Sequence, residues 1–221
     1  MNIEELNSKY SKLTPSERIG ELSNDFKRIL YTSSFGTTAV FLLHLFSKVV
    51  PNQEIYFLDT TYHFPETLAY KRLLTDKFNL RVNDLKGDLF RNKFTLTDRT
   101  WEKDPDLCCS VNKVEPLEAL RNSRTKNEKF DVWVSGLMGS QNEHRKDLKI
   151  FELKNGTLKF YPIIDVTEEE LNEWIRKNDL PEHPLKAKGY ASVGCTHCTV
   201  AGKAREGRWI NKSKTECGLH S

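Results

Sequence analysis

A chain of 221 residues, 38% hydrophobic and 29% charged, is long enough for one good-sized domain with its own core. A formal net charge of +3 allows a local anion site but does not argue for a nucleic-acid surface, and no apolar run reaches membrane-spanning length. The opening MNIEELNSKYSKL lacks the basic region and apolar core of a signal peptide, so the expectation is a cytoplasmic protein. In that reducing setting five cysteines read as ligands or reactive groups rather than as a disulfide scaffold.

Thr14-Pro15-Ser16-Glu17 predicts a helix start, with threonine as cap, proline at the first helical position and glutamate three beyond the cap. That helix should run to about Phe26, and a short strand should follow over Arg28–Thr32. Ser33-Ser34-Phe35-Gly36-Thr37-Thr38 reads as a small-residue loop opening a helix over Ala39–Val49, which Pro51 ends. Glu54–Asp59 is a compact apolar strand, Pro65–Phe78 a helix and Leu80–Leu85 a third strand. Asp131–Gly136 predicts a fourth strand and Leu158–Ile164 a fifth. Thr167 caps a helix to Lys177, with Glu170 at its third position. Beyond Leu180 no regular pattern is visible.

Short apolar strands alternating with helices predict an α/β fold with an open, mostly parallel sheet. Ligands of such sheets lie beyond the carboxyl ends of the strands. The Ser33–Thr38 loop, Asp59-Thr60-Thr61 and the segment from Gly136 all fall there. With no repeat and no dividing linker, residues 1–221 read as a single domain, with 200–221 a mobile tail segment within it.

Three groups of residues carry chemistry. The SSFGTT loop offers backbone amides and hydroxyls suited to a phosphate or sulfate, although an ordinary capped helix start would look the same. It is neither a Walker A loop nor a dinucleotide fingerprint. Four cysteines come in two tight pairs, Cys108-Cys109 and Cys195-Thr-His-Cys198. Adjacent cysteines reach one centre only from a turn or helix, because neighbouring side chains diverge on an extended backbone. Zinc, an iron-sulfur cluster and a redox pair at the CxxC all remain open on the residues alone. Lys113 follows closely enough to offset negative charge beside them. The fifth thiol, Cys217, stands alone near the end of the chain. Arg205, Arg208 and His220 would make it ionise more readily, as a nucleophile requires, and Gly218 beside it would let the tail fold over a ligand.

The segments SSFG at 33–36, LDTTYHFPETL at 58–68, CCSVNKVEPL at 108–117, GLMGSQNEHR at 136–145, GYASVGCTHCT at 189–199, GRW at 207–209 and TECGLH at 215–220 together resemble the assimilatory sulfonucleotide reductases. They are most similar to the cluster-bearing branch typified by adenylyl-sulfate (APS) reductase. The resemblance implies an adenine-nucleotide hydrolase-like, Rossmann-like sheet and a thiol-dependent reduction of adenylyl sulfate to sulfite and AMP in sulfate assimilation. It implies that Cys217 attacks the sulfonate sulfur to form a thiosulfonate, which thioredoxin or glutaredoxin then reduces. It assigns Cys108, Cys109, Cys195 and Cys198 to one [4Fe-4S] cluster. Lys113 and His220 would assist catalysis. Ser33, Ser34, Phe35, Gly36, Asp59, Arg205 and Arg208 would bind substrate. A homo-oligomer is compatible with this; a nucleic acid or a membrane is not expected as partner.

Two departures stand out against the family pattern. Relatives often carry arginine after the glycine and leucine of the GL segment, where this chain has Met138 and then Gly139; Arg145, which does match, is the residue that would supply the missing charge. Thr60-Thr61 replace a glycine-bearing turn. Rival expectations are a 3′-phosphoadenylyl-sulfate (PAPS) reductase or dual-specificity enzyme, an ATP-pyrophosphatase-like enzyme and a non-catalytic metal-binding module. The pyrophosphatase reading expects an SGGxDS-like loop and leaves Cys217 unexplained.

Overall fold

The computed structural model describes residues 2–125, 128–210, 212, 214 and 216–219. Two helices, α1 (Ile3–Tyr10) and α2 (Pro15–Asp25), precede the sheet, each opened by a reciprocal capping box, Asn2 with Glu5 and Thr14 with Glu17. The chain then alternates as the apolar pattern predicts: β1 (Ile29–Thr32), α3 (Ala39–Val49), β2 (Glu54–Asp59), α4 (Pro65–Phe78) and β3 (Arg81–Lys86). A helical stretch without an intervening strand follows: α5 (Leu89–Thr97), α6 (Thr100–Lys103), α7 (Pro105–Cys109) and α8 (Glu115–Asn122), with a wide π-type turn over Ser110–Val114. The remainder is β4 (Val132–Ser135), α9 (Glu143–Lys146), the hairpin β5 (Phe151–Lys154) and β6 (Thr157–Phe160), and α10 (Glu168–Lys177).

The six strands form one sheet in the order β3-β2-β1-β4-β6-β5. All pairings are parallel except β5 with β6. This is the expected α/β, mostly parallel architecture. Two differences have local causes. The fifth expected strand is shorter, because Tyr161 to Ile164 turn back on themselves through an Ile164 N–H to Tyr161 carbonyl bond of 3.2 Å. The extra strand, β5, pairs by a hairpin whose turn uses Asn155 and Gly156, both at positive φ (50° and 70°).

The core explains why α3 is apolar all round. Val40 to Phe46 are all buried, between the sheet on one side and α10 and α4 on the other. Phe35, Phe57, Val134, Phe151 and Phe160 join the same cluster from the strands and the loop. One buried charge ties α2 to the segment after β6: Arg18, 2% exposed, grips Asp165 through both Nη atoms at 2.6 and 2.7 Å and also donates to the carbonyls of Tyr10 and Pro162. Strand order reverses between β1 and β4, so a crevice opens at their carboxyl ends. Among the described residues, the chain after α10 consists of short 3₁₀ turns, isolated bridges and irregular segments.

Candidate active site

A cavity of about 210 Å³ occupies the crevice. Its floor is the loop after β1: Ser33, Ser34, Gly36, Thr37 and Thr38, leading into the start of α3. No side chain caps that helix, although the Ala39 N–H donates to the Gly36 carbonyl at 3.1 Å. The loop is pinned from two directions. Ser33 N–H donates to the Tyr56 carbonyl at 3.0 Å, and Thr37 Oγ1 donates to the Ala191 carbonyl at 2.6 Å. Phe35 turns its side chain away into the core, edge-on to Phe57, and its φ of 49° lets the loop reverse there.

Gly136 and Leu137 line the side of the cavity beyond β4. Met138 is fully buried in the sheet core, and the cations on this cavity are Lys113, Arg145, Arg205 and Arg208. Arg208 donates weakly to the Val193 carbonyl at 3.3 Å and to Ser192 Oγ at 3.5 Å, while its buried Nε has no partner among the described residues. Its close approach requires Gly194, because a Cβ there would come within 2.2 Å of Arg208 Nη2. Lys113 is partly buried. Burial opposes its charge, but the sulfur groups of Cys195, Cys217 and Cys109 outweigh burial and raise its pKa above the ordinary lysine value.

The tail completes the wall. Cys217 is partly buried and lines the cavity together with Lys113, Arg205 and Arg208. Glu216 beside it is buried, with Oε1 on Arg145 Nε at 2.7 Å and Oε2 on Arg145 Nη2 at 2.7 Å. Asn142 Nδ2 and Arg205 Nη2 add contacts at 3.0 and 3.1 Å. Burial alone would raise the Glu216 pKa, but the hydrogen bonds and charge of Arg145, with Arg205 and Asn142, hold it at about 2. Burial and the neighbouring Arg145 lower Arg205 to about 10. His220, the other tail residue singled out, lies outside the described residues.

Asp59 is not on the cavity. It caps its own turn by accepting from Thr61 N–H at 3.0 Å and lies 3.5 Å from Lys86 Nζ. His63, four residues on, does line it, with Nε2 bonded to the Leu58 carbonyl at 2.9 Å and its pKa lowered by burial to about 4. Glu216, Asn142 and Lys159, which holds the tail at the Leu219 carbonyl, were not singled out from sequence. Glu216 alone carried a signal, a carboxylate next to the solitary thiol.

The four remaining thiols share a small cavity of about 10 Å³ behind Lys113, under a stack of Trp101 on His197 with ring centroids 3.8 Å apart. Cys108 and Cys109 end α7, which supplies the helical geometry expected of adjacent cysteines. The expected [4Fe-4S] cluster, and with it the iron-sulfur, metal-binding and cluster-bearing character, is nevertheless corrected. Among the described residues no group of three or more Cys, His, Asp or Glu side chains is placed to hold a metal ion. Successive helical side chains splay by roughly 100°. Each pair also has polar company of its own: Cys195 Sγ meets Thr60 Oγ1 at 3.4 Å and Cys108 Sγ meets Asn112 Nδ2 at 3.7 Å. Burial favours the neutral thiols, pushing Cys108 up to about 12 and Cys198 up to about 11. The donor set therefore does not fit the group, and no step is derived through it.

An open, mostly parallel sheet with a cation-walled cavity at its switch point defines the class as an α/β protein with a site shaped for an anionic ligand. Residues 28–201 match the phosphoadenosine phosphosulfate reductase domain, so the chain belongs to that family and is an enzyme of the sulfonucleotide-reductase type. It is 38% identical over 201 residues to an adenosine 5′-phosphosulfate reductase of Bacillus cereus (strain 03BB102), covering 87% of this chain and 83% of that one. The corresponding reductase of Bacillus mycoides (strain KBAB4) is 36% identical over 207 residues, covering 89% and 86%. A phosphoadenylyl-sulfate reductase from Candida auris, solved as a phosphate complex, superposes with a TM-score of 0.75 at 27% identity, covering 90% of this chain and 96% of that one. Among the described residues no helix is long and apolar enough to cross a membrane.

Proposed function

We propose that the protein reduces adenylyl sulfate to sulfite and AMP, with Cys217 as nucleophile. The observation that carries this reading is the position of Cys217 on the same cavity as the Ser33–Ser34–Gly36 loop, Lys113 and Arg208. The Cys217 thiolate attacks the sulfonate sulfur. The bond from that sulfur to the phosphate oxygen breaks, and both its electrons leave with AMP. Cys217 is left as a thiosulfonate. A dithiol protein of the thioredoxin or glutaredoxin type attacks the Cys217 sulfur, and sulfite departs with the electron pair of the S–S bond. The second thiol of the partner resolves the mixed disulfide, returning Cys217 and leaving the partner oxidised.

The chain's own groups have roles in this scheme. Negative charge gathers on the AMP phosphate as its bond to sulfur breaks, and fixed cations aimed at it lower the barrier. Arg208, whose buried Nε has no partner among the described residues, and Lys113 are suited to that task. Arg205 adds positive charge from the tail side. Ser33, Ser34 and Gly36 offer hydroxyl and amide donors to the anionic end of the nucleotide. Residues 1–221 act as one domain in this reading, with 200–221 as the segment that brings the nucleophile. The named activity of the Bacillus relatives supports adenylyl sulfate as substrate. The Candida auris likeness favours the second reading, 3′-phosphoadenylyl sulfate.

Intact-protein mass after anaerobic incubation with adenylyl sulfate, without a reductant protein, tests both. A sulfonate adduct mapped to Cys217 and absent from Cys217→Ser is the expected result. Faster labelling by the 3′-phosphorylated nucleotide would move the assignment to the second reading. No adduct from either, on protein with a free Cys217, would overturn the mechanism.

A further inference from the structure

Cys217 sits between two anchors that the proposed chemistry does not use. Before it, Glu216 is buried against Arg145, Arg205 and Asn142. After it, the Leu219 carbonyl accepts from Lys159 Nζ at 2.9 Å, and the Leu219 side chain packs on the apolar cluster of Leu30, Tyr56, Leu117 and Trp133. Arg145 is itself fully committed. Nε and Nη2 go to Glu216 and Nη1 goes to Gln141 Oε1, while the Arg145 backbone N–H is held by Asn142 Oδ1 at 2.9 Å. Each of the three fork nitrogens is held by a protein group and only 5% of the residue is exposed, so the fork is directed at the tail and at its own loop.

We infer that Arg145 and Glu216 form a latch that positions Cys217 over the cavity, so that Arg145 is a positioning residue for the tail and not a contact of the substrate. This rests on the reading of Cys217 as nucleophile. The pair is bidentate and withdrawn from water, the geometry in which an arginine–carboxylate contact is most directional. Breaking it leaves a buried charge without its partner, which favours an undocked tail. The latch also divides the cations. Glu216 meets Arg145 and Arg205 with a single negative charge, and Lys113 and Arg208 are the cavity cations outside that group. The segment GLMGSQNEHR folds accordingly. Asn142 opens the short helix α9, Gln141 braces the outer nitrogen, and Arg145 is turned toward the tail from 71 residues away.

The test uses the full chain and two readouts. The first is the rate at which iodoacetamide alkylates Cys217 without substrate, followed by mass spectrometry of the peptide that carries it. Glu216→Gln should raise that rate by about tenfold or more, because docking protects the thiol in proportion to the stability of the closed tail. An unchanged or slower rate would overturn the latch. The second is AMP binding by calorimetry. Arg145→Gln should keep AMP affinity within about twofold while turnover falls, the split expected when a group positions the nucleophile without touching substrate. A larger loss of AMP affinity would overturn the assignment. If Arg145→Gln does not fold, Glu216→Gln, on the peripheral tail, serves for the same measurement under the same limits. A wild-type chain that binds no AMP would sink the reductase reading, and the alkylation comparison would still decide the latch.

Discussion

The sheet and the tail that closes over it are stabilised by different physics. The sheet region is a continuous apolar cluster of side chains such as Val40, Leu43, Phe57, Val134 and Phe160, all fully buried. Among the described residues, the region after α10 has no strand or long helix. It buries a few scattered apolar side chains, Leu180, Leu185, Val193 and Trp209, and is further fixed by the packing of Leu219, the Glu216–Arg145 pair, the Lys159–Leu219 contact, the Thr199–Arg208 bridge and the ring stack of Trp101 on His197. Apolar burial is spread over many groups and gives a rigid floor. A few charged contacts concentrate the hold in places where it can be lost without unfolding the rest. The proposed reaction, in which one thiol meets first a small anion and then a protein partner, would benefit from that division.

Three changes would sharpen or break the comparison. The largest effect belongs to the sheet. Phe57→Ala should cost about 3–5 kcal/mol, the usual loss for a large aromatic removed from a close-packed core, and should lower the melting temperature of the whole domain. A loss under about 1 kcal/mol would mean the sheet is not the cooperative unit proposed. Next comes Gly194→Ala. The added methyl collides with the tip of the Arg208 side chain, so that guanidinium should swing from the wall while the backbone stays. AMP affinity should fall about tenfold, equivalent to about 1.4 kcal/mol, with little change in melting temperature. Unaltered AMP binding would remove Arg208 from the site.

The smallest effect is a pH dependence. The Glu216 pKa is 4.5 in its ordinary state and about 2 when docked, with burial opposing and Arg145 and Arg205 producing the depression. A depressed carboxyl pKa stabilises the docked state above the undocked value, and that gain is lost as pH falls from 4.5 toward 2. The melting difference between wild type and Glu216→Gln should therefore be constant above about pH 5 and shrink by about pH 3. A difference that stays flat across that window would show that Glu216 gains nothing from its arginines.

Sequence alone was enough for most of the sheet. The capping boxes at Thr14 and Thr167, Pro65 at the start of α4 and the apolar runs of β1, β2 and β4 are local signals, each complete within a few residues. Local residue types also singled out the SSFG loop and Cys217, and Ser33, Ser34, Gly36 and Cys217 line one cavity. The helices between Leu89 and Asn122 were not legible. They are short and broken by a π-type turn at Ser110–Val114, and Leu89, Phe90 and Phe94 lie exposed, so no periodic apolar face announces them.

The tertiary structure decided what residue types could not. It sent Phe35 inward and kept Asp59 on its own turn, because backbone direction at a strand end fixes which side chain faces the crevice. It left four thiols beside one small cavity without arranging three of them around a point. It also joined Glu216 to Arg145. The sequence by itself determined most of the sheet and singled out Cys217 as the candidate thiol, because both readings depend on neighbours in the chain. Only the folded structure could decide what holds that thiol in place, because the grip is made between charges distant in sequence and withdrawn together from water.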